Sequence, residues 1–235
     1  MATTRLEFSS ENPLGSSCPG YVSKPLSGTP TPMGVVVLQE WWGVNEQIKN
    51  KGIKIANDLN ATTIVPDLYR GKVAIDREQA GHLMHGLDWP GAIQDILGAA
   101  KYLRNEMGCK KVGVTGFCMG GALTLAVAST QDGSESSLIN AASCFYGIPQ
   151  MDVSKIKIPV IAHFGELDDA VGFSDIESAK KLQKSWSENG VNGTVYLYPG
   201  VGHAFTNDKR PEAYNEEACS LAMQRTFDFF RQHLL

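Results

Sequence analysis

Short runs of β-branched and aliphatic residues alternate along the chain with longer segments in which apolar residues recur every three or four positions. The short runs are typical of strands buried in a parallel sheet, and they lie at residues 35–39, 62–66, 112–115, 141–146, 159–164 and 194–198. The longer segments predict helices at residues 48–59, 76–84, 90–103, 119–128, 176–186 and 216–235. This alternation predicts an α/β fold in which helices cover both faces of a mostly parallel central sheet.

Residues 9–34 depart from this pattern, because they are rich in serine, proline and glycine. We expect irregular or hairpin structure there. No internal repeat or low-complexity linker divides the 235 residues, and this length suits one domain. The sequence therefore predicts a single domain spanning residues 1–235.

One uncharged stretch of 20 residues, from Val112 to Gln131, is long enough to cross a bilayer. It contains four glycines and several hydroxyl side chains, which favour a sharp corner between a buried strand and a helix. The interpretation of this stretch as a membrane span is therefore the weaker one, and we expect no membrane association.

Composition and charge limit the classes of partner and the cellular compartment that we expect. The net charge is −4 and no basic block occurs, so the electrostatic footprint of a nucleic-acid-binding protein is missing. The five cysteines form no CxxC pair, and the N-terminus lacks an apolar signal segment. A reducing, cytoplasmic location is expected.

The sharpest chemical signal is the segment Gly116-Phe117-Cys118-Met119-Gly120, which lies between a predicted strand and a predicted helix. It has the form of a nucleophile elbow, in which small neighbours allow the nucleophile to occupy a strained turn. The N-terminus of the following helix would stabilise a thiolate at Cys118. The alternative is a glycine-rich turn that holds an ordinary buried cysteine.

A nucleophile elbow requires an acid and a histidine later in the chain, and both are present. Asp168 and His203 each follow a predicted strand. The carboxyl ends of parallel strands share one edge of a sheet, so both side chains can converge with Cys118 there. In this arrangement His203 exchanges a proton with the sulfur and Asp168 orients the imidazole. Asp169 is the alternative acid, and His203 could instead be a surface histidine.

The end of the strand at 35–39 supplies further candidates. Glu40 could hydrogen-bond the thiol or shape the pocket, although it could also be a solvated loop acid. The backbone N–H groups of Trp41 and Met119 would form an oxyanion hole. Trp42, together with Trp41, would provide an apolar wall for a substrate.

Two alternatives would involve metal ions. His82 and His85 could share a helix face, but no third ligand stands at a suitable spacing. The acidic cluster at 166–169 lacks the spacing of an EF-hand loop. We therefore expect no metal and no cofactor.

Five motifs, in order along the chain, resemble those of the dienelactone hydrolase family of α/β-hydrolases. They are Gln39-Glu40-x-x-Gly43-Val44-Asn45, Pro66-Asp67-Leu68-Tyr69, Gly116-Phe117-Cys118-Met119-Gly120-Gly121, Gly165-x-x-Asp168 and Gly202-His203-x-Phe205. The resemblance implies an α/β-hydrolase fold, a Cys118–Asp168–His203 triad and a resting thiol that is partnered by Glu40. Members of the family open enol-lactones such as dienelactone to maleylacetate, without metal or cofactor.

The resemblance also implies residues that bind the substrate. Two arginines of the family grip the substrate carboxylate, and one of them matches Arg77. The second would follow the histidine closely, where this chain has Asn207. This departure favours a less anionic ester, thioester or lactone. Trp42 and Phe205 are the other predicted substrate contacts.

The sequence thus predicts a hydrolase of a lactone or small ester that acts through a Cys-His-Asp triad and an acyl-thioenzyme. The predicted partner is this small-molecule substrate, and the protein is expected to be a monomer or a small homo-oligomer. The alternative is a binding or assembly module with weak or no activity, since a fold does not fix a function. The departure at Asn207 supports that alternative, and the complete triad opposes it.

Overall fold

The computed structural model describes residues 3–26 and 28–235. Eight strands occur in this part of the chain: β1 (Thr4–Ser9), β2 (Ser17–Ser23), β3 (Met33–Leu38), β4 (Thr62–Pro66), β5 (Lys111–Phe117), β6 (Ala141–Phe145), β7 (Val160–Gly165) and β8 (Gly193–Tyr198). Six helices accompany them: α1 (Glu46–Leu59), α2 (Arg77–His85), α3 (Trp89–Asn105), α4 (Met119–Ser129), α5 (Ile176–Glu188) and α6 (Glu216–Leu234).

All eight strands form one sheet in the order β1-β2-β4-β3-β5-β6-β7-β8. The strands from β4 to β8 in this order are parallel, whereas β1 and β2 are antiparallel to their neighbours. The predicted α/β fold with a mostly parallel sheet is confirmed. The central strands β3 to β7 are almost entirely buried, which is why their sequences are continuous apolar runs.

The sequence predicts only part of the N-terminal hairpin. Residues 17–23, within the segment 9–34 that is expected to be irregular or a hairpin, form β2, whereas all of its partner β1 except Ser9 precedes that segment. Most side chains of β1 are exposed, so its sequence lacks the dense apolar run that marks the other strands. A buried carboxylate fixes the segment after β1, because Asp95 of α3 accepts hydrogen bonds from Ser10, Asn12 and Arg70.

The uncharged stretch from Val112 to Gln131 forms β5, a turn and α4, as the strand-turn-helix interpretation predicts. Its glycines allow close packing. A Cβ atom at Gly121 would lie 2.2 Å from the carbonyl oxygen of Phe145, and one at Gly113 would lie 2.8 Å from the Phe230 ring. Helix α4 can therefore rest almost directly on the backbone after β6. Among the residues described, no helix is both long enough and apolar enough to cross a membrane.

The substitution Gly121→Ala tests this close approach. Alanine is the better helix former by about 1 kcal/mol, but its Cβ would meet rigid backbone at Phe145. We expect this steric clash to outweigh the gain in helix propensity. The free energy of unfolding should therefore fall by about 1–3 kcal/mol, the usual cost of overpacking. Urea denaturation measures the change.

Gly81→Ala is the matched control, because Gly81 lies inside α2 and a Cβ atom there meets nothing within 4 Å. This variant should be more stable than the wild type by about 1 kcal/mol. A Gly121→Ala protein as stable as Gly81→Ala would contradict the packing argument.

Candidate active site

Cys118 occupies the turn between β5 and α4 in a strained backbone conformation, with φ 55° and ψ −117°. Positive φ values are unfavourable for residues other than glycine, and such strain is typical of a nucleophile elbow. The flanking glycines make the turn possible, since a Cβ atom at Gly116 would lie 2.2 Å from the carbonyl oxygen of Gly120. A Cβ atom at Gly147 would similarly meet the carbonyl oxygen of Cys118 at 2.2 Å.

Asp168 and His203 follow the adjacent parallel strands β7 and β8. The Nδ1 atom of His203 lies 2.8 Å from Oδ2 of Asp168, and the Oγ atom of Ser174 lies 3.1 Å from the same nitrogen. Asp168 is buried and also accepts a hydrogen bond from the N–H of Ala170, whereas Asp169 is exposed. Of the two candidate acids, the structure brings Asp168 to the histidine.

The surroundings of His203 favour its charged form. Burial lowers the pKa of His203, but the hydrogen bond to the Asp168 carboxylate and the neighbouring Cys118 raise it overall to about 10. An imidazolium beside the sulfur of Cys118 is the partner that a thiolate needs. The three residues predicted as a triad therefore lie together at one edge of the sheet.

Glu40 is buried at the end of β3, and its carboxylate already has partners. The amide Nδ2 of Asn207 donates to Oε2 at 2.7 Å, and the hydroxyl of Tyr146 donates to Oε1 at 3.5 Å. Burial raises the pKa of Glu40, although the positive charges of Lys51 and His203 and the hydrogen bond from Asn207 oppose this rise. Within the part of the chain described, no hydrogen bond joins Glu40 to Cys118, and the role of thiol partner stays a prediction.

The two N–H groups predicted to form an oxyanion hole lie at the ends of the adjacent strands β3 and β5. Met119 is the first residue of α4, and the first N–H groups of a helix have no acceptor within it. The N–H of Trp41 donates no hydrogen bond within residues 3–26 and 28–235. Both groups are available to a substrate oxygen.

The predicted substrate contacts differ in position. The indole rings of Trp41 and Trp42 are half-buried and pack edge to face, with centroids 5.2 Å apart. Arg77 is exposed at the start of α2 and makes no ion pair among the residues described. Phe205 is fully buried and packs against Tyr146 and Tyr198. The expectation that Phe205 contacts substrate is therefore corrected, because its ring lies in the core behind the site.

A cavity of about 380 Å³ lies beside Met119, and sequence reasoning missed most of its residues. Its walls are mainly apolar and come from α2, α3, the start of α4 and the loops after β6 and β7: Met84, Trp89, Met119, Ile148, Pro149, Gln150, Met151 and Phe173. Met119 directly follows Cys118, and the ring of Phe173 lies 6.2 Å from that of His203, so two wall residues of the cavity are neighbours of the predicted triad. No short motif marks these residues, since distant segments supply them.

The histidines considered as metal ligands lie apart from this site. His85 contacts the carbonyl oxygen of Gly81 in its own helix, and His82 lies near Glu78 on the exposed face of α2. Within the described ranges, no group of three or more histidine, cysteine or acidic side chains is placed to hold a metal ion.

Comparisons with known proteins indicate the same family as the sequence motifs. The sequence profile described as "Dienelactone hydrolase family" matches residues 18–234. The protein named usf of Aquifex pyrophilus is 37% identical over 232 residues, covering 92% of this chain and 93% of that protein. A putative carboxymethylenebutenolidase of Aquifex aeolicus is 32% identical over 227 residues, covering 92% and 93% respectively.

A solved structure, that of a putative dienelactone hydrolase from Klebsiella pneumoniae, is similar in fold. Its TM-score is 0.82 at 23% sequence identity, and the match covers 99% of this chain and 100% of that one. At this identity the likeness supports the fold, and the family rests on the sequence matches. The resemblance inferred from the motifs is confirmed: this chain belongs to the dienelactone hydrolase family of carboxylic ester hydrolases and has the α/β-hydrolase fold.

Proposed function

We propose that this protein hydrolyses an uncharged lactone or small ester through an acyl-thioenzyme formed on Cys118. The observation that supports the proposal is the strained elbow of Cys118 in the neighbourhood of His203, whose Nδ1 atom lies 2.8 Å from Oδ2 of Asp168. A nucleophile in contact with a base that a third group orients is the arrangement that covalent catalysis requires.

The proposed reaction begins when the Cys118 thiolate adds to the substrate carbonyl carbon. The carbonyl oxygen becomes an oxyanion that accepts hydrogen bonds from the N–H groups of Trp41 and Met119. The C–O bond to the leaving group then breaks, and the imidazolium of His203 gives its proton to the departing alkoxide. The product is a thioester on Cys118, together with the alcohol.

Hydrolysis of the thioester returns the enzyme to its starting state. Neutral His203 takes a proton from water, and the resulting hydroxide adds to the thioester carbon. The second tetrahedral intermediate expels the Cys118 thiolate and releases the carboxylic acid. Asp168 stabilises the imidazolium with which the cycle begins and which forms again when water is deprotonated.

An uncharged substrate suits the surroundings of the sulfur. None of the side chains that line the adjacent cavity carries a charge, and Asn207, at the position where the family implies an arginine, is bound to Glu40. A substrate carboxylate in this cavity would lose its hydration without gaining a cation. The cavity therefore favours an apolar acyl group.

Replacing the nucleophile tests the proposal directly. In Cys118→Ala the hydrolysis of p-nitrophenyl acetate should fall by about a thousandfold or more, because nucleophile and base act as a unit. Cys109→Ala is the control, since Cys109 is buried at a distance from the site. Mass spectrometry of the wild type mixed with a slow substrate should find the acyl group on Cys118. Equal rates in wild type and Cys118→Ala would favour the binding or assembly module instead.

The protonated His203 predicts a pH dependence of stability. Its pKa is about 10 in the folded protein and about 6.5 in an unfolded chain. The stabilisation is therefore complete below about pH 6.5 and disappears as the pH rises toward 10. The free energy of unfolding of the wild type minus that of His203→Gln, measured in urea at several pH values, should decrease across this window.

The exposed His82 provides the control for this measurement. The difference between the wild type and His82→Gln should not depend on pH across the same window. A His203→Gln difference that stays constant, or increases with pH, would show that His203 is not held as an imidazolium.

The apolar cavity predicts faster hydrolysis of esters with longer acyl chains. Each methylene group that enters it should raise kcat/KM about fourfold, the gain from burying one such group, until the space is full. Ile148→Phe should reduce this gain for longer p-nitrophenyl esters and leave the acetate rate unchanged, since acetate needs little of the cavity. Leu197→Phe is the control, since Leu197 is exposed and does not line the cavity. Faster hydrolysis of esters whose chain ends in a carboxylate would contradict the proposed substrate class.

A further inference from the structure

A continuous chain of polar contacts leads from helix α1 to the carboxylate at the active site. The ammonium group of Lys51 donates to the carbonyl oxygen of Thr206 at 2.7 Å and to its hydroxyl at 3.1 Å. The hydroxyl of Thr206 lies 2.7 Å from that of Tyr146, which in turn donates to Glu40. The proposed reaction uses none of the first three residues of this chain, yet Thr206 and Tyr146 are fully buried and Lys51 is half-buried.

Lys51 and Tyr146 also contact the segments that carry the nucleophile and the base. The ammonium group of Lys51 lies 4.4 Å from the centroid of the Phe117 ring, and Phe117 immediately precedes Cys118. The ring of Tyr146 packs edge to face on that of His203, with centroids 5.0 Å apart. Thr206 lies three residues after His203, so the hydrogen bonds from Lys51 hold the loop that carries the base.

Charged groups from several elements surround this chain. Lys51 of α1, together with His203 and Arg210 of the loop after β8, faces Glu40 and opposes the effect of burial, which raises the pKa of that carboxyl. Around Lys51, burial lowers the pKa of the ammonium group, while Cys219 of α6, Glu40 and Asp208 oppose this and Lys54 of α1 adds to it. Lys51 and Glu40 thus stabilise each other's charge inside the protein.

We propose that Lys51 is a positioning residue of this site, which acts through Thr206 and Tyr146 on Glu40 and on the orientation of His203. The inference rests on the proposed hydrolysis at Cys118. In this role the ammonium group keeps Glu40 ionised, and the Glu40 carboxylate supports the imidazolium of His203 alongside Asp168. Lys51 contacts no substrate in this arrangement.

The substitution Lys51→Met tests this role by removing the charge while keeping the length of the side chain. We expect kcat to fall about 10- to 100-fold, the scale of a small misplacement of reacting groups, while KM changes little. Loss of the cation would raise the pKa of Glu40 further, so the acid limb of the kcat profile should move to higher pH. Lys54→Met is the matched control, since Lys54 lies on the same helix, exposed and paired with Asp58.

Tyr146→Phe provides a second test that leaves Lys51 in place. It removes the hydroxyl that donates to Glu40, so the acid limb should again move to higher pH. Tyr198→Phe is its control, because Tyr198 is also buried but its hydroxyl contacts His163. The double variant Lys51→Met/Tyr146→Phe should lose less than the product of the two single effects, as expected for residues of one chain of contacts.

The outcomes separate this inference from the proposed function. If Cys118→Ala hydrolyses esters as fast as the wild type, the proposed function itself fails and the inference fails with it. If Cys118→Ala is inactive but Lys51→Met and Lys54→Met have the same kcat and pH profile, only the role of Lys51 is overturned. Lower stability of Lys51→Met with an unmoved acid limb would also overturn it. Should Lys51→Met fail to fold, the comparison of Tyr146→Phe with Tyr198→Phe decides.

Discussion

The strained turn at Cys118 is the constraint on which the rest of the site depends. A residue with a Cβ atom is held at φ 55° because β5, α4 and the loop after β6 approach each other through glycines. This conformation costs about 1–3 kcal/mol and persists only where the surrounding packing enforces it. The packing of Gly116, Gly120 and Gly147 and the position of the Cys118 side chain at the edge of the sheet are therefore parts of a single arrangement.

Around this turn, the carboxyl edge of the sheet collects charges that would be unfavourable in isolation. Glu40 and Asp168 are buried and Lys51 is half-buried, and a buried charge is tolerated only when it is paired or hydrogen-bonded. Asp168 pairs with His203, while Glu40 has Asn207, Tyr146 and the nearby charge of Lys51. The loops after β3, β6, β7 and β8 thus hold each other in place through electrostatics as well as packing.

The sequence was informative where the signal was local. The spacing of glycines around Cys118, and the positions of Asp168 and His203 after apolar runs, depend on the chemistry of a few consecutive residues, so the fold and the convergence of these three could be predicted. The environment of Glu40 could not be predicted, because its hydrogen-bond partners Asn207 and Tyr146 are 167 and 106 residues away in the sequence. For the same reason, the sequence alone predicts neither the burial of Phe205 in the core nor the residues that line the cavity.

The position of strand β8 at the edge of the sheet affects the stability of the loop that carries His203. It is the outermost parallel strand and pairs with no strand other than β7 within the chain described here. Most of its side chains are exposed or half-buried, although Gln183 of α5 binds the N–H of Val195 and Arg225 stacks on Tyr196 and Tyr198. Edge strands have fewer neighbours than central ones, and regions with few buried contacts open first. The imidazole thus follows an edge strand rather than a central one, so heat should inactivate the protein before it melts.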